Sequence, residues 1–397
     1  QHLDLVEQEN AIAGAMENLS DCLEPDTSGG MVAPLWVERG PKQACLLLLV
    51  IHHFAVDGVS WRILLEDLNT LAQTPAQRLP APTMSLRAWG DHLSKQGESG
   101  ARRNEQPLWL KQIENAVSLP QDRSVSFDVK ELSGTAHVQR YLTTEATSQL
   151  LKAPEVYFAE INDVLLAALG LTLSDWANAR YGINLGDPLI ALEGHGREGD
   201  ADLTRTLGWL TTLFPVRLRV GGLDVTDPSR AGHAIRRVKD GLKALPDKGL
   251  GYGILRHLDR AADERLKVFS GPQVVFNYLG KFNQSHNTKD ADVWMLKDGQ
   301  LAASDDNEKH ERLHLIEINA IVNAAGAFGF DIVFTNQAYS ASSIEDLANR
   351  FQAMLIEVTR HCLHTPLKTR HSISDFSLAS IQQEDLDHIN ETLAGIQ

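Results

Sequence analysis

The chain has 397 residues, enough for two or three globular units, and its 43% hydrophobic and 22% charged residues are the balance of a protein with an apolar core. Thirty-seven Lys and Arg against 52 Asp and Glu leave a net charge of −15, which argues against a nucleic-acid or anionic-membrane partner. Cys22, Cys45 and Cys362 are too scattered for a disulfide framework or a cysteine metal site, and no apolar run is long enough to cross a bilayer, so a cytoplasmic location is expected.

Along the chain, CLLLLVI (45–51) is an unbroken apolar run of the length of a strand buried on both faces. It leads into His52 and His53, a loop with Asp57 and Gly58, and then WRILLEDLNTL, whose apolar residues recur at helical spacing. INDVLLAALGLTLSDW (161–176) predicts a largely buried helix, and PLIAL (188–192) a short strand that ends at Glu193. QVVF (273–276) predicts a strand leading into Asn277 and Tyr278. Residues 314–334 predict two strands around a glycine-containing turn, and 342–358 an amphipathic helix with Ser343 as its N-cap. Strands alternating with helices predict a mixed α/β fold, with its candidate polar groups at strand ends, where open sheets bind ligands.

Three strings can carry chemistry. In HHFAVDGVSW (52–61), an imidazole can move protons near neutral pH; if the two histidines follow strand geometry they face opposite ways, so one is functional and one structural. Asp57 can order the following loop and Gly58 permit a tight turn, although a pair of satisfied core histidines fits HH equally. In EGHGRE (193–198), Glu193 after an apolar strand is expected to be partly desolvated with a raised pKa, as a carbon-acid base requires; a solvated loop glutamate is the alternative. In FNYLGKF (276–282), Asn277 can donate to a developing oxyanion and Tyr278 can donate or accept, or the pair can simply end a strand.

Together these strings resemble the epimerization domains of nonribosomal peptide synthetases, a branch of the condensation-domain superfamily. HHFAVDGVSW resembles the HHxxxDGxSW signature; NDVLLAALG, EGHGRE, RTLGWLTTLFPVRL, PDKGLGYGILRHL and FNYLGKF follow in the family's order. The resemblance implies two chloramphenicol-acetyltransferase-like lobes in a V, with an active-site tunnel between them. The lobes are expected at 1–122 and 123–375, followed by an exit linker at 376–397. The family's opening segment has no counterpart, so the first lobe is expected to be incomplete. The implied reaction is epimerization, L to D, of an aminoacyl or peptidyl residue tethered as a phosphopantetheine thioester. An upstream peptidyl carrier domain would deliver it, with adenylation and condensation domains as neighbours. Glu193 would be the principal acid/base, and His53 the second acid/base or the enolate stabiliser. Tyr278 and Asn277 would shape the pocket. His52, Asp57, Gly58 and Arg197 would be supporting residues, with Asp57 and Arg197 able to pair. No cofactor of its own and no metal are expected, since the chain lacks HExxH-type spacing. Peptide-bond formation by a condensation domain and a non-catalytic carrier-docking role are the alternatives.

Overall fold

The computed structural model describes residues 5–40, 43–125, 134–281, 313–365 and 371–376, with residues 385, 386, 388 and 392 of the expected exit linker. In chain order its helices and strands are α1 (Leu5–Asp21), β1 (Val32–Val37), β2 (Leu46–Ile51), α2 (Gly58–Gln73), α3 (Leu86–Ser99), α4 (Gln106–Ile113), β3 (Thr135–Tyr141), α5 (Thr144–Lys152), α6 (Ile161–Tyr181), β4 (Leu189–Gly194), β5 (Thr212–Arg217), α7 (Arg230–Lys243), α8 (Leu250–His257), α9 (Glu264–Val268), β6 (Val274–Lys281), β7 (Ile316–Val322), β8 (Phe328–Thr335) and α10 (Ala341–His364). The fold is mixed α/β. It divides into two compact units: Gln1–His92 with His195–Thr211, and Leu93–Gly194 with Thr212–Gln397.

The first unit carries an antiparallel ribbon, β1 against β2, with Val32 opposite Ile51. Every residue of β2 is half-buried, which corrects the expectation of a strand buried on both faces. The apolar run is shared between two partly covered sides because a two-stranded ribbon has no layer on each face. Polar ties join α2 and the stretch that follows it to the returning segment 195–211. Arg205 Nη2 lies 2.6 and 2.7 Å from the two carboxylate oxygens of Asp67 on α2. Thr206 Oγ1 donates to the Met84 carbonyl at 2.7 Å. Gly196 has φ +66°, and any Cβ there would collide with the Leu210 carbonyl, so that close approach requires glycine.

The second unit is built on a six-stranded sheet in the order β3-β8-β7-β6-β4-β5, in which β6 runs parallel to both β4 and β7 and the remaining pairs are antiparallel. Alternation sets its two faces. Ile190 and Leu192, Phe214 and Val216, Val274 and Phe276, Ile316, Ile318 and Ala320, and Phe330, Ile332 and Phe334 all join one apolar core with α6 and α10. α6 is buried around most of its circumference, as expected from 161–176, and is closed at its start by a capping box of Glu160 and Asp163. The two strands expected within 314–334 are β7 and β8, joined by a turn containing Gly326. The N-cap of α10 is Ser340 rather than Ser343. Ser343 lies one turn inside, buried, with its hydroxyl 2.8 Å from that of Tyr181. Among the described residues no single helix is long and apolar enough to cross a membrane.

Candidate functional site

β2 stops at Ile51, so neither histidine lies in a strand. His52 instead caps a single 3-10 turn, His53–Ala55, its Nδ1 accepting from the Phe54 amide at 3.2 Å. The argument from opposite strand faces therefore does not apply. His52 is tied to backbone, whereas His53 is exposed, with its ring centroid 4.7 Å from that of Trp209.

Asp57 is the N-cap of α2 and the centre of a buried polar hub. Its carboxylate accepts from the Ser60 amide and hydroxyl, both at 2.8 Å, and from the Leu210 amide at 3.2 Å. Arg197 adds two parallel bonds, Nη1 to Oδ2 at 2.7 Å and Nη2 to Oδ1 at 2.9 Å. Burial alone would raise the Asp57 pKa, but the bonds from Arg197, Ser60 and Leu210 outweigh it and hold the group below its ordinary value. Arg197 Nη2 also donates to the Ser60 hydroxyl and the Thr206 carbonyl, so the fork ties both motifs to the returning segment. Gly58 is the first residue of α2, not a tight turn; its φ is not positive and a Cβ there meets open space. Beside Arg197, His195 Nε2 lies 3.2 Å from Glu198 Oε1.

In the second unit Glu193 lies inside β4 rather than after it, opposite Leu213 of β5. It is exposed, which corrects the expected desolvation. Asn277 and Tyr278 likewise lie inside β6, which continues to Lys281. Leu192 is in register with Phe276, so one step further Glu193 neighbours Asn277 on the adjacent parallel strand. Both project from the sheet face opposite the core. Across the next strand Asn277 is in register with Asn319, and Asn319 with Asp331. Tyr278 projects the other way. It packs on the apolar core, with its ring centroid 6.3 Å from that of Phe328. Burial pushes its phenol pKa up, so the hydroxyl keeps its proton through the neutral range and can donate there. Alternation thus places Glu193 and Asn277, each one residue past the last paired positions of β4 and β6, on the same sheet face, and Tyr278 on the other. Among the described residues no group of three His, Cys, Asp or Glu side chains has the arrangement of a metal site.

Sequence reasoning gave no role to Trp209 or Asn319. The signal for Trp209 lay in TLGWL, where small or anchored residues alternate with Leu207 and Trp209; Asn319 carried no local signal.

A family model described as "Condensation domain" matches residues 2–381. A linear gramicidin synthase of Brevibacillus parabrevis is 35% identical over 372 residues, which are 91% of this chain and 5% of that protein. Tyrocidine synthase 1 of the same organism is 35% identical over 364 residues, 88% of this chain and 32% of that protein. The chain thus spans a third or less of these curated relatives. Among solved structures, the epimerization domain from the third module of tyrocidine synthetase B is 30% identical, with a TM-score of 0.73, covering 89% of this chain and 77% of that one. The condensation domain from Monacolin K polyketide synthase shares the fold, with a TM-score of 0.64 at 15% identity, over 88% of this chain and 77% of that one.

Proposed function

This chain belongs to the condensation domain family, and we propose that within it the chain is a cofactor-independent epimerase acting on an aminoacyl or peptidyl thioester carried by phosphopantetheine. The observation that carries this reading is the placement of Glu193 beside Asn277 on one face of adjacent parallel strands. The likeness to an epimerization domain supports it.

An α-proton beside a thioester is weakly acidic, so removal needs a placed base and a donor for the charge that develops. Glu193 takes the proton. The C–H electron pair moves into the carbonyl, giving an enolate whose oxygen accepts from the Asn277 amide. A second proton, from another acid or from water, reaches the opposite face of the planar carbon and inverts the centre, while Glu193 gives the proton it took to solvent. His53 is assigned as the second acid/base group or as the enolate stabiliser, on the resemblance of HHFAVDGVSW, and Tyr278, which projects from the other sheet face onto the core, takes no step. The carrier is an upstream peptidyl carrier domain, with adenylation and condensation domains as neighbours and the cytoplasm as the location. Binding energy from the long pantetheine arm, remote from the reacting carbon, is what positions so weak an acid. The chain is incubated with a carrier loaded with an L-aminoacyl or L-peptidyl group, and the released product is analysed for chirality. A mixture of D and L residues is expected, with free amino acid left unchanged. Rapid racemization of the free amino acid would overturn the reading.

Peptide-bond formation is the second reading, favoured by the family's own description. Accumulation of a dipeptide from two loaded carriers, with the α-centre retained, would establish it.

A further inference from the structure

Between Thr206 and Leu210 the returning segment of the first unit alternates. Thr206, Gly208 and Leu210 are buried, while Leu207 and Trp209 are exposed. The buried residues are held by the polar hub. The Ser60 hydroxyl, whose proton goes to Asp57, accepts from the Gly208 amide at 3.1 Å and lies 3.1 Å from the Gly208 carbonyl, and the Leu210 amide donates to Asp57. Gly208 has φ +145° and sits where a Cβ would press on Leu86, so the close seat of this segment depends on glycine. On the outward side the Trp209 amide donates to the Phe54 carbonyl at 3.3 Å. The indole then lies 4.7 Å from the His53 ring, tilted by 39°, and 5.9 Å from the Phe54 ring, nearly parallel at 21°. Trp209 remains 48% exposed and Phe54 54% exposed, so core packing does not account for either.

We propose that Trp209 is a positioning residue for His53. Its indole fixes the imidazole on an otherwise short, exposed turn, and the Asp57–Arg197–Ser60 hub acts on His53 through it. Aromatic pairs at such separations supply orientation beyond the area they bury. His53 has no other fixed ring neighbour among the ring contacts of the described residues. The catalytic arm of the inference rests on the epimerase reading; the structural arm does not.

The test uses the full chain with 13C-labelled histidine, the His53 ring resonance being assigned by its loss in His53→Gln. Trp209→Leu should move that resonance by removing the indole ring current and leave the circular dichroism unchanged; Trp209→Phe should retain most of the displacement. With loaded carrier, Trp209→Leu should lower the kcat for α-proton exchange roughly two- to tenfold at unchanged KM. Trp209→Phe should restore it, and Trp209→Leu should cause no further loss in a His53→Ala background. An unmoved His53 resonance, or losses that multiply in the double variant, would overturn the inference. If the wild-type chain exchanges no α-proton, the epimerase reading fails, and the resonance still decides whether Trp209 holds His53.

Discussion

Glu193 stands on a strand paired on both sides within a six-stranded sheet, whereas His53 stands in one 3-10 turn after a two-stranded ribbon. The strand needs no special device, because its direction is set by β5 and β6 and by the core beneath Leu192 and Phe276. The turn has no such foundation. It is held by a capping histidine below and by an aspartate–arginine hub beside it. Apolar layers and buried polar networks can each fix a reactive side chain, but they fail differently. A layer loses a little with each methylene removed, whereas a network loses most of its worth when one member leaves its partners buried and unpaired.

The largest expected effect falls on the sheet side. Glu193→Gln keeps size and exposure but removes the base, so deuterium exchange into the tethered residue should fall on the order of 10²–10⁴-fold, read by mass spectrometry. Wild-type exchange in this variant would remove the strand from the chemistry altogether. On the other side, Asp57→Ala leaves Arg197 uncompensated and should destabilise the first unit by about 3–5 kcal/mol. Chemical denaturation and hydrogen exchange across α2 measure that loss. Arg197→Lys should recover little, because an ammonium cannot make the two parallel bonds.

The comparison sharpens with pH. The Asp57 carboxylate is held below its ordinary value, so its contribution is present above the usual carboxylate range and is lost as pH falls through its folded pKa. Asp163, at the start of α6 in the second unit, behaves oppositely. Burial is the main cause that raises it to about 6, so its folded state is favoured at low pH and loses stability as pH rises through that value. Asp163→Asn keeps an acceptor for the Glu160 amide and should stabilise the second unit at pH 8 by roughly 1–3 kcal/mol, with no gain near pH 4. Thermal unfolding at the two pH values tests this. Smaller effects on stability are expected at the histidines: His52→Ala should cost about 0.5–2 kcal/mol through the lost cap. His53→Ala, removing an exposed ring, should change stability by less than about 0.5 kcal/mol while impairing exchange. The reverse pattern in denaturation and exchange assays would transfer the acid/base role to His52.

Some of this was legible in the sequence. The helix at 161–181 announced itself by an apolar stretch too long for a strand, and β7 and β8 by alternation on either side of a turn. Asp57 lies three residues before Ser60, at capping distance, and its opposite charge made a pairing with Arg197 foreseeable. Other features were not written locally. Whether a polar residue ends a strand or continues it depends on the neighbouring strand, so Glu193, Asn277 and Tyr278 were placed at ends they do not occupy. The face each presents follows from that register, and so does the separation of Asn277 from Tyr278. In SASS (340–343) any of three serines can begin a helix, and the bonds that Ser340 donates to Asp122 decide among them. The return of 195–211 to the first unit was legible only in part, through the alternation in TLGWL.

That return has a consequence for the chain as it is made. Asp57 and its arginine are separated by 140 positions. At about 5–20 residues per second, roughly 7–28 s pass between their syntheses. Throughout that interval α2 begins with an aspartate whose strongest partner does not yet exist, and α6 and β4 are completed first. The first unit therefore closes only after residues 195–211 are made, and a nascent chain halted before residue 195 carries a ribbon and helix that cannot yet bury their acidic cap.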